Sequence, residues 1–213
     1  MKKSEDDIRK EYFSDITRWQ SWLDVESALA LVQSEIDIIP SWAATVISKK
    51  SKISLINQTE LKQIIKDTGT GVFSLTKSLS NICGEAGKFV HWGATTQNIV
   101  DTGLLIVLKK YHSEMMIVIS EILKKLSFIS KTNSKTIMIG RTLSRHALPI
   151  TYGFKVAIWI ENFSELADQI IETEKRLFKL RFGGAVGGFH SYEKDGYELS
   201  NRLAKKLGLD IAS

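Results

Sequence analysis

Residues 90–103 read VHWGATTQNIVDTG. A histidine, a tryptophan and a glycine lead into a run of small polar residues, and a long apolar pattern begins directly afterwards. Two readings fit such a cluster at the start of a helix. In one, a threonine caps the helix and His91 is a structural residue. In the other, free N–H groups and the positive end of the helix dipole hold a carboxylate or a phosphate. Thr95, Thr96, Gln97 and Asn98 would then add short-range hydroxyl and amide groups, with His91 one loop away.

Downstream of this stretch, Leu104, Leu108, Tyr111, Met115, Val118, Ile122, Leu126 and Ile129 keep helical spacing. A second segment, from Tyr152 through Val156, Trp159, Phe163, Leu166 and Ile170 to Leu177 and Leu180, does the same, with Thr173 as its one polar interruption. Each helix would run roughly 45 Å, which implies a bundle or coiled coil. Val100, Val107, Ile117 and Ile119 occupy other faces, so partners should press from more than one side. Upstream, Trp22, Val25, Leu29, Val32 and Ile36 line one helix face, and Pro40 ends that helix. Residues 41–50, capped by Ser41, and residues 60–67 and 72–83 read as shorter helices, the last two separated by the breaker DTGTG. Strand-like alternation is almost absent. The sequence therefore predicts an all-α protein: a short N-terminal helical domain over 1–93, then the first part of a long-helix bundle over 94–213. Two long, many-sided apolar helices cannot bury themselves against each other alone. The chain should therefore form a homo-oligomer or be the front part of something longer, and the ending LGLDIAS, which shows no closing element, favours the second.

Composition narrows the function classes. The 213 residues are 43% hydrophobic and 25% charged, as in soluble globular proteins. The longest apolar runs, LLIVL and MMIVI, are too short to span a bilayer, and MKKSEDDIRK lacks the apolar core of a secretory signal. A single cysteine, Cys83, excludes an intrachain disulfide framework and offers no metal-ligand spacing, so no metal is expected. A cytoplasmic protein is the plain reading. The net charge of +5 comes from scattered lysines without interleaved aromatics, which argues against nucleic-acid binding and for mild attraction of anionic substrates.

Two further polar stretches stand at the ends of the long helices. IGRTLSRHALPITYG, residues 139–153, gathers Arg141, Thr142, Arg145 and His146 into a cationic, hydrogen-bonding cluster, and Pro149 suits the first turn of the helix that follows. The cluster reads equally as solvated surface or as an anion site. RFGGAVGGFH, residues 181–190, has glycines at 183, 184, 187 and 188, which allow tight turns and close approach. No strand is expected before it, so it is not a dinucleotide fingerprint. His190 reads as a surface histidine and His112, inside a long helix, as a structural one.

Taken in order, VHWGATTQNIVDTG, GRTLSRHALPITYGFK and FGGAVGG resemble three successive conserved regions of the fumarase/aspartase superfamily of lyases. The segments HWGATTQN, HALPITYGFKVAIW and RFGGAVGG resemble most the 3-carboxy-cis,cis-muconate cycloisomerase branch. The adenylosuccinate lyase branch ranks second, because it usually carries a further histidine where this chain has GTGV at 69–72. The resemblance implies an all-α fold whose long helices build a homotetrameric core, with each active site assembled from three subunits. It implies a small di- or tricarboxylate substrate, no cofactor, and proton abstraction next to a carboxylate through a doubly charged aci-carboxylate stabilised by fixed donors. By resemblance, His91 and the Thr95–Thr96–Asn98 segment would hold substrate carboxylates, and Arg141 and Thr142 would frame the site. His91 and His146, the next histidine after the family's position at 143, are the catalytic candidates, and Gln97 and Arg145 join the substrate-binding ones. The family's base is a serine on a mobile loop that would lie beyond Ser213, so the 213-residue chain alone is expected to be inactive.

The chain also departs from the family pattern. Leu143 stands where the family has a histidine, Asn98 where aspartate is usual, Gly188 where threonine is usual, and Thr96 replaces serine. A relative that keeps the fold as a binding or assembly module is therefore the alternative to a lyase or cycloisomerase.

Overall fold

A computed structural model describes residues 4–212. Its helices are α1 (Glu5–Phe13), α2 (Asp15–Glu35), α3 (Ser41–Lys50), α4 (Gln58–Thr68), α5 (Gly71–Cys83), α6 (Thr96–Thr132), α7 (Tyr152–Leu177) and α8 (Gly196–Leu207). Four short strands accompany them: β1 (Ile137–Thr142), β2 (Arg145–Thr151), β3 (Lys179–Leu180) and β4 (Asp210–Ile211). The all-α expectation holds. The chain forms two compact units, one of residues 1–109 with 178–213, the other of residues 110–177.

The first unit is organised around α2. Its N-cap is Ser14, whose side chain accepts from the Thr17 backbone N–H. Trp19, Trp22, Leu23, Val25 and Ala30 enter one core with α3, α4, α5 and Ile99 of α6. Ala28, Leu29 and Val32 enter a second with Phe178, Leu180, Phe182, Leu199 and Leu203. A helix buried on two sides needs apolar residues around most of its circumference, and α2 has them. The α8 helix and the parallel β3–β4 pair, absent from the periodicity reading, supply the second core. Cys83 is buried at the end of α5, and burial pushes its thiol above the ordinary range.

In the second unit the rest of α6 is followed by an antiparallel hairpin, β1–β2, and then α7. The hairpin corrects the sequence reading. Pro149 does not open the helix; it lies in β2 opposite Ile139, and α7 begins at Tyr152. Leu143 and Ser144 form the two-residue turn, both with positive φ (46° and 66°), as a type I′ turn requires. The strands escaped detection because residues 141–149 are exposed on both faces, so no apolar alternation marks them. Gly153 fixes the return of the chain: a Cβ there would lie 2.5 Å from the Ser130 carbonyl oxygen, while its own N–H donates to the Asn133 carbonyl at 3.0 Å. Ile117, Val118, Phe128 and Leu166 are exposed on α6 and α7.

Leu79 is fully buried and Leu143 is 98% exposed. Leu79→Ala is expected to lower unfolding free energy in urea by about 2–5 kcal/mol and Leu143→Ala by less than about 0.5 kcal/mol. Cys83 should resist alkylation in the folded chain and react once urea unfolds it, as mass spectrometry would show.

Candidate functional site

The site in the first unit is built from α2 upward. Glu26 and Gln33 lie seven residues apart on α2, on one face, and both are buried within otherwise apolar surroundings. Together they hold the turn His91–Gly93. One Glu26 carboxylate oxygen accepts the His91 backbone N–H at 3.1 Å, and the other lies 2.6 Å from His91 Nδ1. Gln33 Nε2 donates to the Trp92 carbonyl at 2.7 Å, as does the Tyr192 hydroxyl, also at 2.7 Å. Burial raises the Tyr192 phenol well above its usual range, so it remains a donor.

The held turn is conformationally costly. His91 has φ of 61°, an unusual conformation for a residue with a side chain, and Gly93 follows at 69°. A Cβ on Gly93 would come within 2.5 Å of the Tyr192 ring. Strain of this kind persists only where the surroundings over-determine it. Here a carboxylate, an amide and a phenol do so. A carboxylate can only accept, so in this contact the His91 ring is the donor.

Three residues after the turn, α6 starts at Thr96. Asn98 ties this helix start to the glycine loop. Its Oδ1 accepts from Thr95 N and from Gly184 N, each at 3.2 Å, and its Nδ2 donates to the Arg181 carbonyl at 3.3 Å. The two pieces border an open cleft of about 450 Å³, lined by Thr95, Gln97, Asn98, Asp101, Arg181 and the loop glycines among others. Gln97 donates to Asp101 at 2.6 Å. The first N–H groups of α6 have no intrahelical acceptor, and the dipole makes this end positive. The exposed Arg181 side chain makes no hydrogen bond or ion pair among the described residues and adds a full positive charge to the wall. The arrangement is chemically suited to a carboxylate or phosphate.

The structure thus brings Thr95, Gln97 and Asn98 to one cleft. Thr96 is exposed at the first position of α6, and His91 sits in the turn before it. Arg141, Thr142, Arg145 and His146 belong to the second unit, all exposed on the hairpin, with Arg141 opposite His146 and Thr142 opposite Arg145. The Arg141 guanidinium donates to the Ser144 carbonyl across the turn at 3.1 Å. His112, also in the second unit, is buried with Nδ1 3.1 Å from Glu174. His190 is exposed. Among the described residues no group of three His, Cys, Asp or Glu side chains could hold a metal ion, and no helix is long and apolar enough to cross a membrane.

Sequence reasoning missed Glu26, Gln33, Tyr192 and Arg181. The first two had a signal. They interrupt the apolar surroundings of α2 at helical spacing, and a polar residue inside such a stripe marks a buried partner. Tyr192 and Arg181 had none, because their partners are brought to them only by the fold.

Comparison with known proteins agrees with this architecture. A family model described as lyase matches residues 4–213. Adenylosuccinate lyase of Methanothermobacter thermautotrophicus is 36% identical over 191 residues, which is 89% of this chain and 42% of that protein. The crystal structure of a fumarate lyase from Mesorhizobium sp. BNC1 superposes with a TM-score of 0.92 at 33% identity, covering 99% of this chain and 49% of that one. That of the 3-carboxy-cis,cis-muconate lactonizing enzyme from Pseudomonas putida gives 0.94 at 28% identity, covering 99% and 48%. The chain spans about half the length of the relatives it matches. Matched from residue 4 to residue 213 and folded like these enzymes throughout, the chain belongs to the lyase family of the fumarase/aspartase superfamily.

Proposed function

We propose that the complete protein, with the remainder of the family's length, is a lyase or cycloisomerase acting on a small di- or tricarboxylate. The observation that carries this reading is the cleft between the start of α6 and the glycine loop, where unpaired helix N–H groups and the Arg181 guanidinium offer fixed positive charge to a carboxylate. Charge grows on a substrate carboxylate when the neighbouring carbon loses a proton, and donors already in place lower that barrier without reorganisation. Thr95, Thr96, Gln97 and Asn98 frame the anion site, and His91 supplies a hydrogen-bonding or proton-carrying imidazole beside it. Arg141, Thr142 and Arg145, on the hairpin of the second unit, are further substrate-binding candidates, and His146 a further catalytic one. The exposed apolar residues of α6 and α7 are covered in a homo-oligomer, a tetramer by family resemblance.

The structural likeness to the muconate lactonizing enzyme favours a 3-carboxy-cis,cis-muconate-type substrate. The 36% identity to an adenylosuccinate lyase favours a second reading, elimination from a succinyl-purine. Both substrates should be offered to the complete protein and followed by ultraviolet absorbance. Turnover of either identifies the branch. No turnover, together with no rise in melting temperature at millimolar di- or tricarboxylate, would leave the fold as a binding or assembly module.

Two substitutions test the site. Leu143, at the hairpin tip, stands at the position where the family carries a histidine. Leu143→His is expected to raise kcat of the complete protein about tenfold or more, and an unchanged kcat would show that this departure does not limit turnover. Asn98→Ala strips the helix start and the glycine loop of three hydrogen bonds. It should lower stability by about 1–3 kcal/mol and speed hydrogen exchange at the Gly184 amide, measured by mass spectrometry.

A further inference from the structure

Glu26 is a buried carboxylate placed where the packing of α2 calls for an apolar residue. Its side chain is 1% exposed, and its neighbours on the helix, Leu23, Val25, Leu29 and Ala30, all enter the cores. Burying a carboxylate is unfavourable unless it is fully hydrogen-bonded, and an apolar side chain would fill the position at less cost. Both oxygens of Glu26 are committed to one residue: the His91 backbone N–H at 3.1 Å and the His91 ring at 2.6 Å. Among the described residues Glu26 makes no other hydrogen bond or ion pair, so nothing else in the fold accounts for it.

A hold on both the backbone and the ring of one residue does something a single contact does not. It fixes φ at 61°, the plane of the ring and the nitrogen that carries the hydrogen. The other ring nitrogen, Nε2, has no partner among the described residues, and the side chain is 24% exposed rather than sealed in the core. Gln33 and Tyr192, which grip the next carbonyl, stop the turn from rotating away.

We infer that Glu26 is a positioning residue for His91: it imposes the Nδ1–H tautomer and leaves Nε2 of the neutral ring as an acceptor for a proton of the substrate. The role of His91 towards substrate rests on the function proposed above. The tautomer rests on the contacts with Glu26 alone. A carboxylate can only accept from Nδ1, whereas a carboxamide with its oxygen on the His91 backbone N–H turns its NH2 group towards Nδ1. Glu26→Gln should therefore move the hydrogen to Nε2 and convert the working acceptor into a donor while leaving the packing volume unchanged.

Magic-angle-spinning 15N NMR of the complete protein, labelled only in histidine and with His91 assigned by loss of its signals in His91→Asn, reads this directly. The unsubstituted protein is expected to show a protonated Nδ1 and a bare Nε2 in the neutral ring, and Glu26→Gln the reverse. With the substrate identified above, Glu26→Gln should lower kcat by about 10²-fold with KM within about threefold. Glu26→Asp, which keeps the accepting charge, should retain the Nδ1–H tautomer and restore part of kcat. A ring already protonated at Nε2 in the unsubstituted protein overturns the inference without any variant having to fold. An identical tautomer in the Gln variant, or a kcat equal in all three proteins, overturns it as well. The NMR readout needs no substrate, so absence of turnover would count against the proposed reaction and leave the placement of His91 to be decided separately.

Discussion

The contact between the buried Glu26 carboxylate and His91 sets much of what is chemically distinctive in the first unit. A carboxylate in an apolar core is tolerated only with its hydrogen bonds made, and here a single residue makes both. That demand draws the VHWG turn onto α2 and holds His91 in a conformation it would not adopt freely. Gln33 and Tyr192 repeat the arrangement one residue along, at the Trp92 carbonyl. With the turn fixed, the chain has two residues in which to reach the start of α6. The position of the helix N-terminus, and so of the positive end of its dipole, is a consequence of the clamp beneath it.

Asn98 plays the complementary part above. Its amide accepts from the Thr95 and Gly184 N–H groups and donates to the Arg181 carbonyl, which requires one side chain to be acceptor and donor at once. A carboxylate at this position would keep the acceptor and lose the donor. Asn98 is therefore suited to this loop path, with Arg181 on the wall, and the departure from the family's usual aspartate has a local structural partner. The glycine loop and the helix start form one wall rather than two independent motifs, although 83 residues separate Asn98 from Arg181.

The second unit follows a different logic. Its helices expose Ile117, Val118, Phe128, Phe154 and Leu166, and the hairpin exposes Leu143 and Leu148. Such apolar surface on long helices marks an interaction face, and the chain spans about half the length of the relatives it matches. The cationic hairpin cluster is equally unenclosed: Arg141, Thr142, Arg145 and His146 are all exposed, and the Arg141 guanidinium meets only the Ser144 carbonyl.

What the sequence determined by itself is the helical class, most helix boundaries, and the three polar stretches with their family resemblance. These are carried by local patterns: apolar spacing of three and four, caps, breakers and short motifs. It also showed Thr95, Gln97 and Asn98 at a helix start, because a helix N-terminus is a local event. The tertiary structure alone decided the rest. The β1–β2 hairpin has no buried face, so no alternation announced it. The Tyr192 clamp and the Asn98 tie join residues 100 and 83 apart in the chain, and only folding brings them within 3.3 Å. The partnership of Glu26 with His91 lies between these limits. A lone carboxylate on an apolar helix face declares that a partner exists, and the partner is named only when 65 residues of chain have folded back upon it.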